Sequence, residues 1–199
     1  MRRRGQVALL AAAMLSLAVI AYLNRVESLK IRVTYHGEAE WMILLAAARH
    51  SLASNESLDV LIARLRDAAS RNGVWLPPVE WNSSHASWGG NTGGGWAYRA
   101  DFYNTSLGWR GYFAASTSYV LLGAEYDDHG NLWLVYNLTY LHEYRLPQYS
   151  YSITLHPEPL NTTCSRVYAA GEGEWIAKLS PPCTLKDKWG IAIISVEGG

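Results

Sequence analysis

The sequence predicts an α+β protein with an N-terminal transmembrane helix and a head in which two helices pack on a mainly antiparallel β-sheet of about seven strands. Three observations indicate this fold class: an uncharged run near the N-terminus, two helical segments behind it, and short alternating segments in the remainder. The predicted boundaries are 1–28 for the basic leader and transmembrane or signal-anchor helix, 29–199 for the head, 29–76 for its helical part and 79–199 for its β-rich part.

The uncharged run is Val7–Leu23, and it follows the basic stretch Arg2–Arg4. A helix of this length is ~25 Å long, near the lower limit for crossing a bilayer. Because basic residues before an apolar run hold the N-terminus in the cytoplasm, we expect a single-pass cell-membrane protein with its head outside. A secretory signal peptide cut before Tyr22 is one alternative. A buried helix of a soluble domain is the other.

The residues RRRGQ, followed directly by the apolar run, resemble the class III signal peptide of archaeal type IV pilin-like proteins. The resemblance covers about the first twenty residues. It implies cleavage by a prepilin peptidase after Gly5, with Gln6 as the first mature residue and the apolar helix kept as anchor and assembly helix. Many pilins carry Glu at the fifth mature position, where this chain has Leu10. A plain single-pass anchor without a pilus role is the alternative.

The charge balance argues against a nucleic-acid partner. The chain has 17 basic and 17 acidic residues, and removal of Arg2–Arg4 would leave 14 basic residues against 17 acidic ones. Neither balance provides the basic surface that displaces counterions from nucleic acid. The expected partners are instead the lipid bilayer and either other pilin-like subunits or surface glycans. We expect no cofactor and no metal site.

The two cysteines, Cys164 and Cys183, fit no metal-binding spacing. In an oxidising compartment they can form one disulfide, and the predicted export favours that pairing. Two unpaired buried thiols are the alternative.

Five N-x-Ser/Thr sequons are candidate glycosylation sites of an exterior surface. In the alternative interpretation, their Asn, Ser and Thr residues simply form turns. The five asparagines are Asn55, Asn82, Asn104, Asn137 and Asn161.

Two helices are predicted, over Glu38–Leu52 and Glu56–Arg71. Ser54 or Asn55 can cap the second helix. The segment Trp41–Ala48 is apolar on all sides, which predicts a helix central to the core.

A first strand is predicted over Leu29–Tyr35, before the helices. The Gly/Ser/Asn-rich segment Trp81–Trp96 is interpreted as a long loop. Asp127–Asn131 is a hairpin turn, for which turn chemistry is a better explanation than a calcium site. The later predicted strands are Trp96–Phe102, Tyr119–Tyr126, Leu132–Leu141, Tyr149–Leu155, Val167–Ala170, Trp175–Leu179 and Trp189–Val196, the last of them central.

Alternation along Leu132–Leu141 predicts which side chains face the core. Tyr136 and Leu138 should be buried, and Asn137 should face solvent together with Trp133 and Val135. The sheet would then have one face packed on the helices and one open face.

No catalytic motif is present in the sequence, and neither cysteine has the local signature of a nucleophile. Exposed aromatic rings are the remaining candidates for ligand binding, because flat rings stack on sugars or protein partners. The candidates are Trp88, Trp96, Tyr98 and Trp109. The alternative is that these rings fill the core, since the chain has only two Phe.

These features predict a membrane-anchored extracytoplasmic protein with a structural or adhesive role, as a type IV pilin-like or accessory subunit, and no enzymatic activity. The first alternative is a carbohydrate- or surface-binding module on a plain single-pass anchor. The second is a secreted hydrolase, for which no residue roles can be named.

Overall fold

The computed structural model describes residues 38–72, 78–90, 92–104, 108–147 and 149–198. The apolar run Val7–Leu23, the candidate cleavage site at Gly5 and Gln6, and the predicted strand Leu29–Tyr35 lie outside the described residues. The compact unit that contains the sheet spans Glu40–Gly199. Neither helix in the described part of the chain has the length and apolar character needed to cross a membrane.

The two predicted helices are confirmed as α1 (Glu38–Ser54) and α2 (Leu58–Arg71). Asn55 ends the first helix in a left-handed conformation, with φ 56°. The cap of α2 is neither Ser54 nor Asn55 but Ser57, whose hydroxyl accepts a hydrogen bond from the Asp59 N–H at 3.3 Å.

Helix α1 is buried on one side only. Trp41 and Leu45 lie in the core, whereas Met42 is 53% exposed and Ile43 is also exposed. The predicted place of this helix in the core is confirmed, although its other side is exposed, because an apolar sequence does not by itself provide packing partners around the whole helix.

The strands are β1 (Glu80–Gly90), β2 (Gly93–Asn104), β3 (Trp109–Tyr126), β4 (Leu132–Arg145), β5 (Ile153–Leu155), β6 (Ser165–Gly171), β7 (Glu174–Leu179), β8 (Cys183–Lys186) and β9 (Ala192–Val196). Seven of them form an antiparallel sheet in the order β1-β2-β3-β4-β7-β6, with β5 also paired to β4, while β8 and β9 form a separate two-stranded sheet. The predicted mainly antiparallel sheet of about seven strands is confirmed.

One face of the large sheet, here called the covered face, carries the core. Phe102 and Phe113 on this face pack with the helices, and Leu138 and Ala177 pack with β8 and β9. The helices therefore cover only part of the sheet, and the small sheet covers a second part, around β4 and β7. The opposite face, here called the open face, exposes polar side chains such as Asn137.

The segment interpreted as a loop, Trp81–Trp96, is instead most of the β1–β2 hairpin. Pairing runs without interruption from Glu80 opposite Tyr103 to Gly90 opposite Gly93. The prediction failed because β1 is exposed on both faces and so lacks the apolar alternation that identifies a half-buried strand.

The last predicted strand, Trp189–Val196, is also corrected. Strand β9 begins only at Ala192, and it belongs to the small sheet rather than to the centre of the large one. Its apolar character reflects burial against the covered face, where Ile193 and Ile194 join the core. A uniformly apolar strand indicates burial and does not by itself specify the sheet to which it belongs.

Strand β4 confirms the predicted alternation, since Tyr136 and Leu138 are buried and Asn137 is exposed. The expected exposure of Trp133 and Val135 is wrong, because they are only 8% and 9% exposed although they lie on the open face. The guanidinium of Arg166 lies 4.7 Å from the centroid of the Trp133 ring. Long charged side chains can cover apolar surface with their stems while their charged ends stay in water.

Cys164 and Cys183 form a disulfide, as predicted, with a Cα–Cα distance of 5.7 Å. Cys164 immediately precedes β6, and Cys183 is the first residue of β8. The bond therefore joins an edge of the large sheet to the small sheet.

Candidate binding surfaces of the sheet

The four predicted ligand-binding aromatics do not form one site. Trp88 is 52% exposed near the end of β1. Trp96 is half-buried on the covered face, and its Nε1–H donates to the Ile193 carbonyl at 3.0 Å. Tyr98 is buried in the helix-side core, and Trp109 packs partly buried against that same core. Tyr98 therefore fits the core-filling alternative.

Trp88 and Trp96 both line a groove of about 420 Å³, here called the Trp88 groove, between the β1–β2 hairpin and β9. The groove is lined by His85, Ser87, Trp88, Gly89, Gly95, Trp96, Tyr119 and residues 192–195. The Trp88 ring rests on the backbone at Gly95, where an added Cβ would lie 2.7 Å from Cζ2 of the ring. A half-exposed indole on such a support can stack on a flat ligand.

Open-face side chains of β1 to β4 form the second candidate surface, here called the arginine–tyrosine platform. Strand register places its members in neighbouring cross-strand rows. One row is Asn82–Asp101–Tyr112–Arg145, the next is Glu80–Tyr103–Arg110, and the third contains Arg99 and Glu143 on either side of Ala114. A shallow depression of about 490 Å³ lies among these side chains.

Four platform residues are already bound to one another. Arg99 donates to both carboxylate oxygens of Asp101, at 2.8–3.1 Å, and its guanidinium lies 4.0 Å from the centroid of the Tyr112 ring. The Tyr112 hydroxyl in turn donates to Glu143. That hydrogen bond is the main reason that the pKa of Glu143 lies below its usual value. This part of the platform is therefore fixed by its own contacts.

Two other arginines of the platform have no carboxylate partner among the described residues. Arg110 stacks on Tyr103 at 4.9 Å from the ring centroid, and the Nε–H of Arg145 donates to the Tyr149 carbonyl at 3.2 Å. Their strand positions are diagonal neighbours on either side of Tyr112. Within the described residues, neither positive charge is neutralised by a carboxylate.

The predicted sequons differ in access. Asn55, Asn82, Asn137 and Asn161 are exposed, and Asn82 lines the platform depression. Asn104 is only 2% exposed, so a glycan does not fit on its side chain in the folded head. Glycosylation at Asn104 stays a prediction, and this burial argues against it.

A third cluster of polar side chains, which the sequence analysis did not predict, is buried. The Tyr140 hydroxyl lies 2.6 Å from His142 Nε2 and donates to Asp187 Oδ2 at 2.8 Å. Oδ1 of Asp187 accepts the backbone N–H groups of Trp189 and Ile191, both at 2.9 Å. The cluster therefore attaches the turn between β8 and β9 to strand β4.

Burial shifts the pKa values of His142 and Tyr140. It lowers the pKa of His142 to about 3, with a further contribution from the positive charge of Arg49. Neutral His142 therefore makes no ion pair with Asp187, although Nε2 and Oδ2 are 3.6 Å apart. Burial, together with Asp187, raises the pKa of Tyr140. Because these side chains are at most 1% exposed, no substrate can reach them in this state, and their role is structural.

The sequence does not predict this cluster because Asp187 lies in an irregular turn, far along the chain from Tyr140 and His142. The one available signal was a polar His at an inward-facing position of a strand. Elsewhere, the predicted turn Asp127–Asn131 is confirmed, with Asp127 accepting four hydrogen bonds from within the β3–β4 hairpin. No group of three His, Cys, Asp or Glu residues in the described ranges is arranged to hold a metal ion.

Comparison with known proteins gives no relative: the chain matches no family model, no curated protein and no solved structure.

Proposed function

We propose that this chain is a membrane-anchored extracytoplasmic protein with an adhesive or structural head, in its most specific form a type IV pilin-like or accessory subunit. The basic leader and the apolar run support the anchor. The Cys164–Cys183 disulfide supports an oxidising compartment for the head. Four exposed sequons are consistent with an exterior surface.

The arginine–tyrosine platform is the observation that carries the adhesive role. It lies on the sheet face that neither described helix covers. Four of its side chains, Arg99, Asp101, Tyr112 and Glu143, hold one another in place. Arg110 and Arg145 remain free of carboxylate partners within the described chain. Each of these two guanidinium groups can bind a carboxylate, phosphate or sulfate group of a partner, which favours attachment to acidic groups presented on a surface.

Cell attachment tests this role. Cells that produce the full chain should adhere to a surface coated with acidic polysaccharide, and the double variant Arg110→Ala/Arg145→Ala should lose most of that adhesion. The matched control, Arg64→Ala/Arg71→Ala, removes two exposed arginines of α2 and should adhere like the unmodified chain. Equal adhesion by both double variants would show that the platform is not the adhesive surface.

The mature N-terminus distinguishes the forms of the anchor. Mass spectrometry of the protein from its native cells should find Gln6 as the first residue if it is pilin-like. Met1 would indicate a plain anchor, and Tyr22 would indicate a secreted protein, which contradicts the proposed membrane anchoring.

The half-exposed indole of Trp88 favours a second candidate, a carbohydrate-binding module on a plain anchor. In this function the ring stacks on a sugar in the Trp88 groove. A glycan array should then show binding that Trp88→Ala abolishes and Tyr126→Ala, at another exposed aromatic, leaves intact. Absence of glycan binding by the unmodified chain rejects this candidate.

A further inference from the structure

Strand β1 is an edge strand with a long free side. All eleven of its residues, Glu80–Gly90, pair with β2 on one side. On the other side it has no partner among the described strands. Every residue of β1 except half-buried Trp81 is exposed. Within the described part of the chain its outward N–H and C=O groups have no strand partner, and an edge of this kind is a template for pairing with another strand.

Natural proteins protect such edges with charges, prolines or bulges, and β1 has almost none of these. Glu80, at its first position, is its only Asp, Glu, Lys or Arg residue, and its pairing with β2 is free of bulges. The opposite edge strand, β6, has seven residues, carries Arg166, and shows a register shift between Ala169 and Gly171. The β6 edge is thus protected against pairing with a further strand, whereas the β1 edge is not. Strand β1 is therefore the better candidate for an interaction with another strand.

We propose that β1 pairs antiparallel with β1 of a second copy of this chain, across a two-fold axis perpendicular to the sheet. The charge distribution favours this partner. Antiparallel pairing separates the two Glu80 side chains to opposite ends of the strand pair, so no like charges lie opposite each other. The remaining residues of β1 bring no further acidic, Lys or Arg side chain into the contact.

A two-fold axis in this direction also places the corresponding faces of the two sheets on the same side. Opposite residues in an antiparallel pair point to the same side, so the covered face of one copy continues into the covered face of the other. The two sheets become one continuous sheet, and the open faces with their platforms lie on the same side of the pair. The inference rests on β1 alone and is independent of what the platform binds.

Hydrogen–deuterium exchange on the full chain in detergent micelles tests the pairing. As protein concentration rises, we expect amide protection to increase in peptides from β1 and to stay constant in peptides from β6. Three results would overturn the proposal: a monomer at every concentration, an oligomer whose outward β1 amides exchange rapidly, or a monomer in which those amides are already protected.

A pair of charge variants tests the same edge by sedimentation velocity. Ser84→Lys with Ala86→Lys places two positive charges at the centre of β1, where the two copies face each other, so the dimer fraction should fall severalfold. The matched control, Ala169→Lys with Ala170→Lys at exposed positions of β6, should dimerise like the unmodified chain. Undiminished dimerisation of the β1 variant excludes β1 as the interface, and if that variant does not fold, the exchange experiment decides.

Discussion

At the residue scale, the Asp187 carboxylate holds two parts of the head together. One oxygen accepts two backbone N–H groups of the β8–β9 turn, and the other accepts the Tyr140 hydroxyl. Neutral His142 completes the cluster if its Nε2 carries the proton, because Nε2–H then donates to the hydroxyl oxygen while the hydroxyl donates to Asp187. Each of these contacts is shielded from water, so losing one leaves a buried polar atom unsatisfied.

Tyr140→Phe removes this hydroxyl and keeps the ring. We expect the free energy of unfolding to fall by about 3 kcal/mol, because His142 Nε2 and Asp187 Oδ2 both lose a partner in a buried site. Denaturant titration measures the change. Tyr168→Phe, at an exposed position of β6, is the control and should be neutral. Equal effects of the two variants would show that the buried hydroxyl contributes nothing specific.

His142 predicts a loss of stability in mild acid. Its pKa is about 3 in the folded state and about 6.5 in the unfolded chain, so below pH 6.5 only the unfolded chain takes up this proton. The contribution of His142 to the free energy of unfolding is fully present above pH 6.5. Below pH 6.5 this contribution falls by about 1.4 kcal/mol per pH unit. Between pH 6.5 and 5, this slope is separate from that of Glu143, whose lowered pKa acts below the ordinary carboxylate range of about 4.3.

Unfolding titrations across that pH range provide the measurement. His142→Gln should flatten the slope, and His50→Gln, at an exposed position of α1, should retain it. A slope that His142→Gln leaves unchanged would assign the acid sensitivity to another group.

At the element scale, the β1–β2 hairpin depends on close packing at its glycines. An added Cβ at Gly95 would collide with the Thr117 carbonyl oxygen of β3 and lie 2.7 Å from the Trp88 ring. At Gly90, in the same hairpin, an added Cβ meets nothing within 4 Å. The two positions therefore form a matched pair that separates local crowding from the general effect of replacing glycine.

Gly95→Ala should reduce the free energy of unfolding by about 2 kcal/mol, because the backbone of β3 cannot move away without breaking strand pairing. Gly90→Ala should leave it unchanged or raise it slightly by restricting the unfolded chain. Thermal unfolding followed by circular dichroism compares the two variants. Similar melting temperatures for both would contradict the close contact at Gly95.

The disulfide acts between elements, since it joins the start of β6 to β8 across a sequence separation of 19 residues. Reduction should lower the free energy of unfolding by about 3 kcal/mol, as expected for a loop of this size. Denaturant titration with and without reductant measures the difference. Cys164→Ser/Cys183→Ser should already have the lower stability and should not respond to reductant. A response of this variant would mean that the reductant acts elsewhere.

Sequence patterns predicted the elements that have a periodic apolar face and failed where that signal is lacking. Helix α2 and the strands around Leu138 follow from periodicity and turn residues, and α1 follows from its continuous apolar segment between turn residues. Strand β1 is exposed on both faces and looks like a loop, while β9 is apolar but pairs outside the main sheet. The cluster around Asp187 depends on contacts between residues distant in sequence, which single-sequence patterns do not contain.

The candidate surfaces show the same division. Trp88 was predicted as a ligand-binding residue, and it lies in a Gly/Ser/Asn-rich segment. Its ring is exposed beside a groove. The platform was missed because Arg99, Tyr112 and Arg145 come together only through the register of β2, β3 and β4. Burial of Trp133 was missed for a related reason, since its cover is the side chain of Arg166 on a non-adjacent strand.

At the scale of the whole molecule, the fold separates a covered face from an open face. The described helices and the small sheet pack on the covered face, and no other described element packs on the open face or pairs with the outer side of β1. This division is suited to a head presented to the surroundings of the cell. It has functional meaning only if residues 38–198 lie outside the cytoplasm, and that location is the central claim of the proposed function.

Protease treatment of intact cells tests this location most directly. Trypsin added outside should release peptides that end at head residues such as Arg110 and Arg145, identified by mass spectrometry, while a cytoplasmic marker protein stays intact. Release of head peptides before lysis is the result that the proposed topology predicts. Head peptides that appear only after the cells are lysed would contradict it.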